Sequence, residues 1–219
     1  MNPHLSDFLK IIETENRYEA LRFVLDKLEE RSLSILQVYE ELLTPALNQM
    51  TPSGNENLDI WKEHVRTSII KTIVENMYPY VIRERQTKGA ANGRTAAVLC
   101  PPEEYHDLGA RMAADVLTLS GYEAIFVGGN TPLRVYTAGL AEAKIDFIVI
   151  SISNPYHLVS GRNIIQGIRE KAPSVKIVVG GNAIGKLGDR AKVLEADYTM
   201  TTLHELAALE GGLNHETGL

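Results

Sequence analysis

Ala97-Val98-Leu99-Cys100-Pro101-Pro102-Glu103-Glu104-Tyr105-His106-Asp107-Leu108-Gly109 is an apolar run that breaks at a Pro-Pro pair into a polar loop and then opens a helix. A short apolar run bounded in this way reads as a buried strand, and the loop after it lies at a carboxyl end, where open parallel sheets bind ligands. That loop carries an E-x-H-x-x-G pattern made of Glu104, His106 and Gly109. An imidazole becomes a good transition-metal ligand once its second nitrogen is oriented and made more basic by a carboxylate, and Glu104 is the carboxylate at hand. Gly109, in the first helical turn, removes a side chain where a bulky planar ligand would have to approach the backbone closely. Taken alone, the three residues read more readily as an ordinary loop histidine, a solvated glutamate and a glycine that eases helix packing, and the surrounding chain changes that.

The chain beyond Gly109 repeats the same unit. Strand-like runs at Thr95 to Cys100, Glu123 to Val127, Phe147 to Ile152, Val175 to Val179 and Ala196 to Met200 are each followed by a helix-like segment, starting near Asp107, Leu133, Leu158, Ile184 and Thr202. Strands alternating with helices imply a five-stranded parallel, doubly wound α/β sheet. In such a sheet the ligand site is assembled from the loops after the strands. Those loops offer His106, Gly128-Gly129-Asn130-Thr131, Ser151-Ile152-Ser153 and Gly180-Gly181-Asn182, a set suited to a ligand with amides, a phosphate and a bulky planar body. Neither a P-loop nor G-x-G-x-x-G is present, so nucleotide phosphates have no recognisable cradle.

Upstream the period is helical. Leu5, Phe8, Leu9 and Ile12 form one apolar stripe, Leu21, Val24, Leu25 and Leu28 a second, and Ile35, Val38, Tyr39, Leu42, Ala46 and Met50 a third, which Ser32 or Ser34 can cap. After the break at Thr51-Pro52-Ser53-Gly54-Asn55, Leu58 to about Arg85 reads as one long helix with Trp61, Val65, Ile69, Ile73, Met77 and Tyr80 or Val81 on one side. Short connections between such helices predict a four-helix bundle. On the last helix Trp61 and His64 share a face, and Glu63 points elsewhere. Gln86 to Arg94 reads as a flexible linker, so the expected division is a helical domain over 1–88 and an α/β domain over 95–219.

Composition excludes several classes. The 219 residues are 44% hydrophobic and 23% charged, as in an ordinary globular protein, and the net charge of -6 comes without a Lys/Arg cluster, which argues against a nucleic-acid surface. No long hydrophobic run suggests a signal peptide or membrane span, and a single cysteine, Cys100, makes no internal disulfide. A cytoplasmic location is expected.

At this point the chain resembles the cobalamin-binding module in which a helical cap precedes a Rossmann-like (flavodoxin-like) cobalamin domain. That family's signature is D-x-H-x-x-G, then S-x-L, then G-G; here the counterparts are Glu104-Tyr105-His106-Asp107-Leu108-Gly109, Ser151-Ile152-Ser153 and Gly180-Gly181. The resemblance implies His106 as the lower axial cobalt ligand, with Ser151, Ser153 and Gly180-Gly181 accommodating the displaced nucleotide tail of adenosyl- or methylcobalamin. Glu104 in place of Asp, the preceding Pro101-Pro102, and Pro155-Tyr156-His157-Leu158 look most like the cobalamin domains of MerR-type light-sensing regulators. The serine that completes a hydrogen-bonded chain with the Asp and His in methyl-transferring relatives falls on His157. Those photoreceptors also carry W-x9-E-H over the upper axial ligand. Glu63-His64 match the Glu-His part, but Ser53 and Gly54 stand where the tryptophan and its neighbouring histidine belong, which leaves Trp61 as a substitute ring. The resemblance therefore implies a cobalamin-binding sensor, a photoreceptor type without the DNA-binding domain, that signals to a protein partner. The alternative is a corrinoid methyl carrier serving separate methyltransferases. Either role is compatible with an oligomer.

Overall fold

The structure, a computed structural model, describes residues 3–210. By packing, the chain divides into two compact units, Met1–Val81 and Ile82–Leu219.

The first unit is helical, as the apolar spacing predicts. Helix α1 (Leu5–Glu13) buries Leu5, Phe8 and Ile12, and α2 (Arg17–Glu29) buries Ala20 and Val24. Side chains satisfy free N–H groups at the heads of the next two helices. Asn16 accepts from the Glu19 amide at the head of α2, and Ser34 and Gln37 form a reciprocal capping box at the head of α3. Helix α3 (35–48) opens as Ile35–Gln37, widens to π geometry over Val38–Leu43 and closes as Thr44–Asn48. Pro45, without an N–H to return up the helix, sits just beyond the widened turns. Helix α4 (Glu56–Thr87) is continuous through Pro79.

Helix α4 departs from the sequence reading in two ways. Its buried residues begin at Arg66, so Trp61, placed by spacing on the apolar side, is 61% exposed. Spacing assigns a face but not whether a neighbour covers it, and Leu58 and Ile60 in the same turns are exposed as well. The second departure is the Glu63–His64 pair. Adjacent helical residues point apart, yet the long Glu63 side chain curls back to bring its carboxylate 2.6 Å from His64 Nδ1.

The second unit starts from the end of α4. The expected linker is shorter and less free than its composition suggests, since α4 continues to Thr87 and Asn92 donates its amide to Gly121 O. Strands β1 (Thr95–Leu99), β2 (Glu123–Gly128), β3 (Phe147–Ser151), β4 (Lys176–Gly180) and β5 (Tyr198–Thr199) alternate with α5 (Leu108–Leu119), α6 (Leu133–Glu142), α7 (Leu158–Lys171), α8 (Asn182–Leu187) and α9 (Leu203–Ala207). All strand pairs are parallel and the order is β2-β1-β3-β4-β5, the flavodoxin-like arrangement. Strand residues alternate between two cores. Leu99, Ile148, Ile150, Ile177 and Val179 pack under α6, α7 and α8. Ala96, Val98, Phe147, Val149 and Val178 pack under α5 and α9, where Ala110, Ala113 and Ala114 let α5 lie close to the sheet. No described helix is long and apolar enough to cross a membrane.

Arg66 is the buried polar group that ties the helical unit together. Its guanidinium donates to Ala46 O at 3.0 Å and Gln49 O at 3.2 Å, capping the end of α3, and pairs with Glu13 at the end of α1. Arg66→Ala would leave those carbonyls without their donor, and it should lower stability by about 2–4 kcal/mol in urea unfolding. Loss of less than about 0.5 kcal/mol would show that water replaces the guanidinium freely.

Candidate functional site

A sheet ordered β2-β1-β3-β4-β5 has one point where its connections diverge to opposite faces, between the carboxyl ends of β1 and β3, and ligands bind there. The loop after β1 begins with a tight turn. Glu104 N–H donates to Pro101 O at 3.1 Å, Pro102 presets the second position, and Glu103 takes φ +66° at the third. A type II turn has this form and favours glycine at that third position; a left-handed L-residue there costs about 1–2 kcal/mol.

The turn directs Glu104 inward, where its side chain is fully buried. One carboxylate oxygen accepts from His106 Nδ1 at 2.6 Å and from the His106 amide at 3.1 Å. The other accepts from the amides of Ser153 at 3.0 Å and Asn154 at 2.8 Å, in the loop after β3. Burial disfavours the charge, but the Asn154 amide and the His106 ring and amide outweigh it and hold the carboxyl below its ordinary 4.5. An ionised carboxylate has no proton to give, so in the neutral imidazole the hydrogen sits on Nδ1 and the lone pair on Nε2. The His106 side chain is 62% exposed, so that lone pair is accessible.

The surroundings fit a large group carrying its own metal. Among the described residues no cluster of three or more His, Cys, Asp or Glu side chains is disposed to hold an ion, so a metal at Nε2 would bring its remaining ligands with it, as a macrocycle does. At Gly109 an added Cβ would meet only Ser151 Oγ, at 3.8 Å. No internal contact demands glycine there, and its absent side chain leaves room beside the buried Ser151. Gly181 is different: at φ +103° its Cβ would fall 2.6 Å from Ile152 O, so packing of the β3 and β4 loops already requires the glycine. A Cβ at Gly180 would stand 3.1 Å from Met200 O, again an internal constraint.

The remaining candidates divide by position. Tyr105 is exposed, Asp107 precedes the first residue of α5, and Leu108 is buried beneath it. Ser153 Oγ donates to His106 O at 3.4 Å, adding a second tie across the switch point. His157 immediately precedes α7, and no bond joins it to Glu104; backbone amides take the place of the hydroxyl that a serine would supply. Cys100, buried at the end of β1, has its thiol pushed up to about 12 by burial and then by the charges of Glu104 and Asp107, so it stays protonated. Trp61, Glu63 and His64 belong to the helical unit, where His64 Nδ1 faces the Glu63 carboxylate and Thr67 Oγ1 holds the other Glu63 oxygen at 2.9 Å. Sequence reasoning missed the Ser153 and Asn154 amides, because backbone donors carry no residue signature.

Residues 94–208 match the B12 binding domain, and the chain belongs to that family. It is a cobalamin-binding protein. Among solved structures, its fold is similar to the monomethylamine corrinoid protein of Methanosarcina barkeri, with a TM-score of 0.75 and 16% identity over 92% of this chain and 94% of that one. A cobalamin-binding protein from Desulfitobacterium hafniense DCB-2 matches with a TM-score of 0.47 and 18% identity over 92% and 94% of the two chains. A chain of the methanol:cobalamin methyltransferase complex from Methanosarcina barkeri matches with a TM-score of 0.47 and 11% identity over 92% and 75%. No curated protein matches the chain.

Glu104→Gln would turn an amide NH2 toward donors that now meet an oxygen, and should cost about 2–4 kcal/mol of stability at pH 7. Because the folded carboxyl titrates below its ordinary 4.5, the unfolded chain binds the proton first as pH falls. The stabilisation is therefore complete above the ordinary value and disappears as pH drops through the folded value. The difference between parent and variant in urea midpoints should hold from about pH 7 to 5 and shrink below about pH 4. A constant difference across that range would contradict the buried, ionised carboxylate.

Proposed function

We propose that this chain is a corrinoid carrier that holds cobalamin through His106 and passes a methyl group between separate methyltransferase proteins. The observation that carries the reading is the Glu104–His106 pair, an accessible Nε2 lone pair whose tautomer is set by a buried carboxylate at the switch point of the sheet. Bound there, cobalamin would supply a cobalt centre able to accept and release a methyl group. His106 would ligate cobalt, and Glu104 would keep the proton on Nδ1 and strengthen Nε2 as a donor. Gly109 would leave the corrin room to approach α5, with Ser151, Ser153, Gly180 and Gly181 beside the nucleotide tail and Tyr105, Asp107 and Leu108 framing the histidine. In this reading residues 1–88 are the helical cap, and Trp61, Glu63 and His64 are its candidate cofactor-binding residues.

Two observations support a carrier over the light sensor that the MerR-type resemblance suggests. The fold is shared over 92% of this chain with a monomethylamine corrinoid protein. Ser53 and Gly54 occupy the positions where the sensor chemistry places a tryptophan and a second cobalt-ligating histidine, and neither can act as an imidazole does. The sensor remains a second reading because His64 is already oriented by Glu63, as a Glu-His pair over the upper ligand would require.

Reconstitution with methyl-, adenosyl- and hydroxocobalamin, with spectra before and after green light, separates the two. A base-off, histidine-ligated spectrum is expected, and it should be lost in His106→Ala; an unchanged spectrum in that variant would reject His106 as the ligand. Illumination should leave water or hydroxide on cobalt. A bis-imidazole spectrum after light that vanishes in His64→Ala would favour the sensor and overturn the carrier.

A further inference from the structure

We propose that Asn130, in the loop after β2, is a positioning residue that fixes the His106 loop from the side opposite the β3 amides. The inference rests on the reading of His106 as a metal ligand, since it concerns how that ligand is aimed.

The turn bearing Glu104 and His106 is held from two directions. The β3 loop takes the Glu104 carboxylate through Ser153 and Asn154. The β2 loop takes the backbone. Asn130 Oδ1 accepts from the Glu103 amide at 2.9 Å, and the Asn130 amide donates to Glu104 O, also at 2.9 Å. One residue thus brackets the two residues that lead into the histidine. Thr131 N–H donates to Cys100 O and Cys100 N–H to Gly128 O, so the two loops are joined from the strand ends outward.

The backbone there requires such support. Glu103 holds φ +66° without being glycine, a conformation that persists where surrounding contacts over-determine it. The Asn130 carboxamide, bonded to the amide of that strained residue, is one of those contacts. Asn130 itself sits at φ +49°, and asparagine is among the few L-residues that adopt this region readily. Gly129 lets the loops close, since a Cβ there would stand 3.0 Å from Glu104 O and 3.4 Å from Asp107 Cβ. Asn130 acts through Glu103 and Glu104. If the backbone at 103–104 loosens, the carboxylate that aims the imidazole shifts with it, and a displacement of about 1 Å is enough to spoil a bond of fixed geometry.

The test compares Asn130→Ala, Asn130→Gly, Asn130→Asp and His106→Ala in the full chain, with two readouts. The first is amide exchange at Glu103 in cofactor-free protein. The second is the nitrogen superhyperfine splitting in the electron paramagnetic resonance spectrum of protein loaded with cob(II)alamin. In Asn130→Ala, Glu103 should exchange about tenfold faster and the ratio of histidine-ligated to unligated cofactor should fall about tenfold. Asn130→Asp keeps an acceptor oxygen and a residue tolerant of left-handed backbone, and should restore both readouts. Asn130→Gly keeps the backbone shape without the acceptor, so it should lose Glu103 protection and show a smaller loss of ligation. If Asn130→Ala does not fold, Asn130→Gly against Asn130→Asp gives the same comparison. Wild-type splitting in both Asn130→Ala and Asn130→Gly, with splitting abolished in His106→Ala, would overturn the role of Asn130 alone. Splitting that survives His106→Ala would instead overturn the ligand assignment.

Discussion

A fully buried carboxylate is tolerated only when its oxygens are satisfied, and the second unit meets that constraint at Glu104 with donors from two separate loops. The His106 ring and amide lie two residues away in sequence, but the Ser153 and Asn154 amides lie about fifty residues on. They arrive because β1 and β3 are hydrogen-bonded neighbours with β2 on the far side of β1. The same order that makes the switch point therefore completes the shell of the carboxylate. Each depends on the other: an incomplete shell would leave a charge in the interior, and an unfixed carboxylate would leave the histidine free to rotate.

From that constraint the chemistry of the site follows in short steps. A satisfied carboxylate stays ionised, an ionised carboxylate sets the tautomer, and the tautomer frees Nε2. One accessible imidazole with no companion ligand cluster among the described residues suits a metal held by a macrocycle, which agrees with membership of the B12-binding family. The glycines serve different ends. Gly129 and Gly181 are required by close backbone approach within the protein, whereas Gly109 meets nothing that would exclude a methyl group. The helical unit solves its own version of the problem with Arg66, a buried cation whose donors end α3 and meet α1.

Much of this was legible in the sequence for identifiable reasons. Alternating strand-like and helix-like runs follow from burial on both faces of a parallel sheet, and the five runs fall on the five observed strands within a few residues. Local capping was legible too, because Ser34 and Gln37 satisfy each other within one turn. Glu104 and His106 stood out because their spacing already places a carboxylate beside an imidazole. The linker was harder to read, since glycine-rich composition does not reveal that Asn92 would find Gly121 O.

By itself the sequence determined the periodicities, the turn-forming Pro101-Pro102 and the pairing of Glu104 with His106, all of which are settled by contacts within a few residues. Only the tertiary structure decided what depends on strand order and packing. It exposed Trp61, whose face on α4 was predictable but whose covering was not. It also placed Asn130 against Glu103 and the Ser153 and Asn154 amides against Glu104. The reason is physical: a backbone amide looks the same at every residue, and an asparagine in a turn shows its tolerance for that turn, not the distant peptide it will hold.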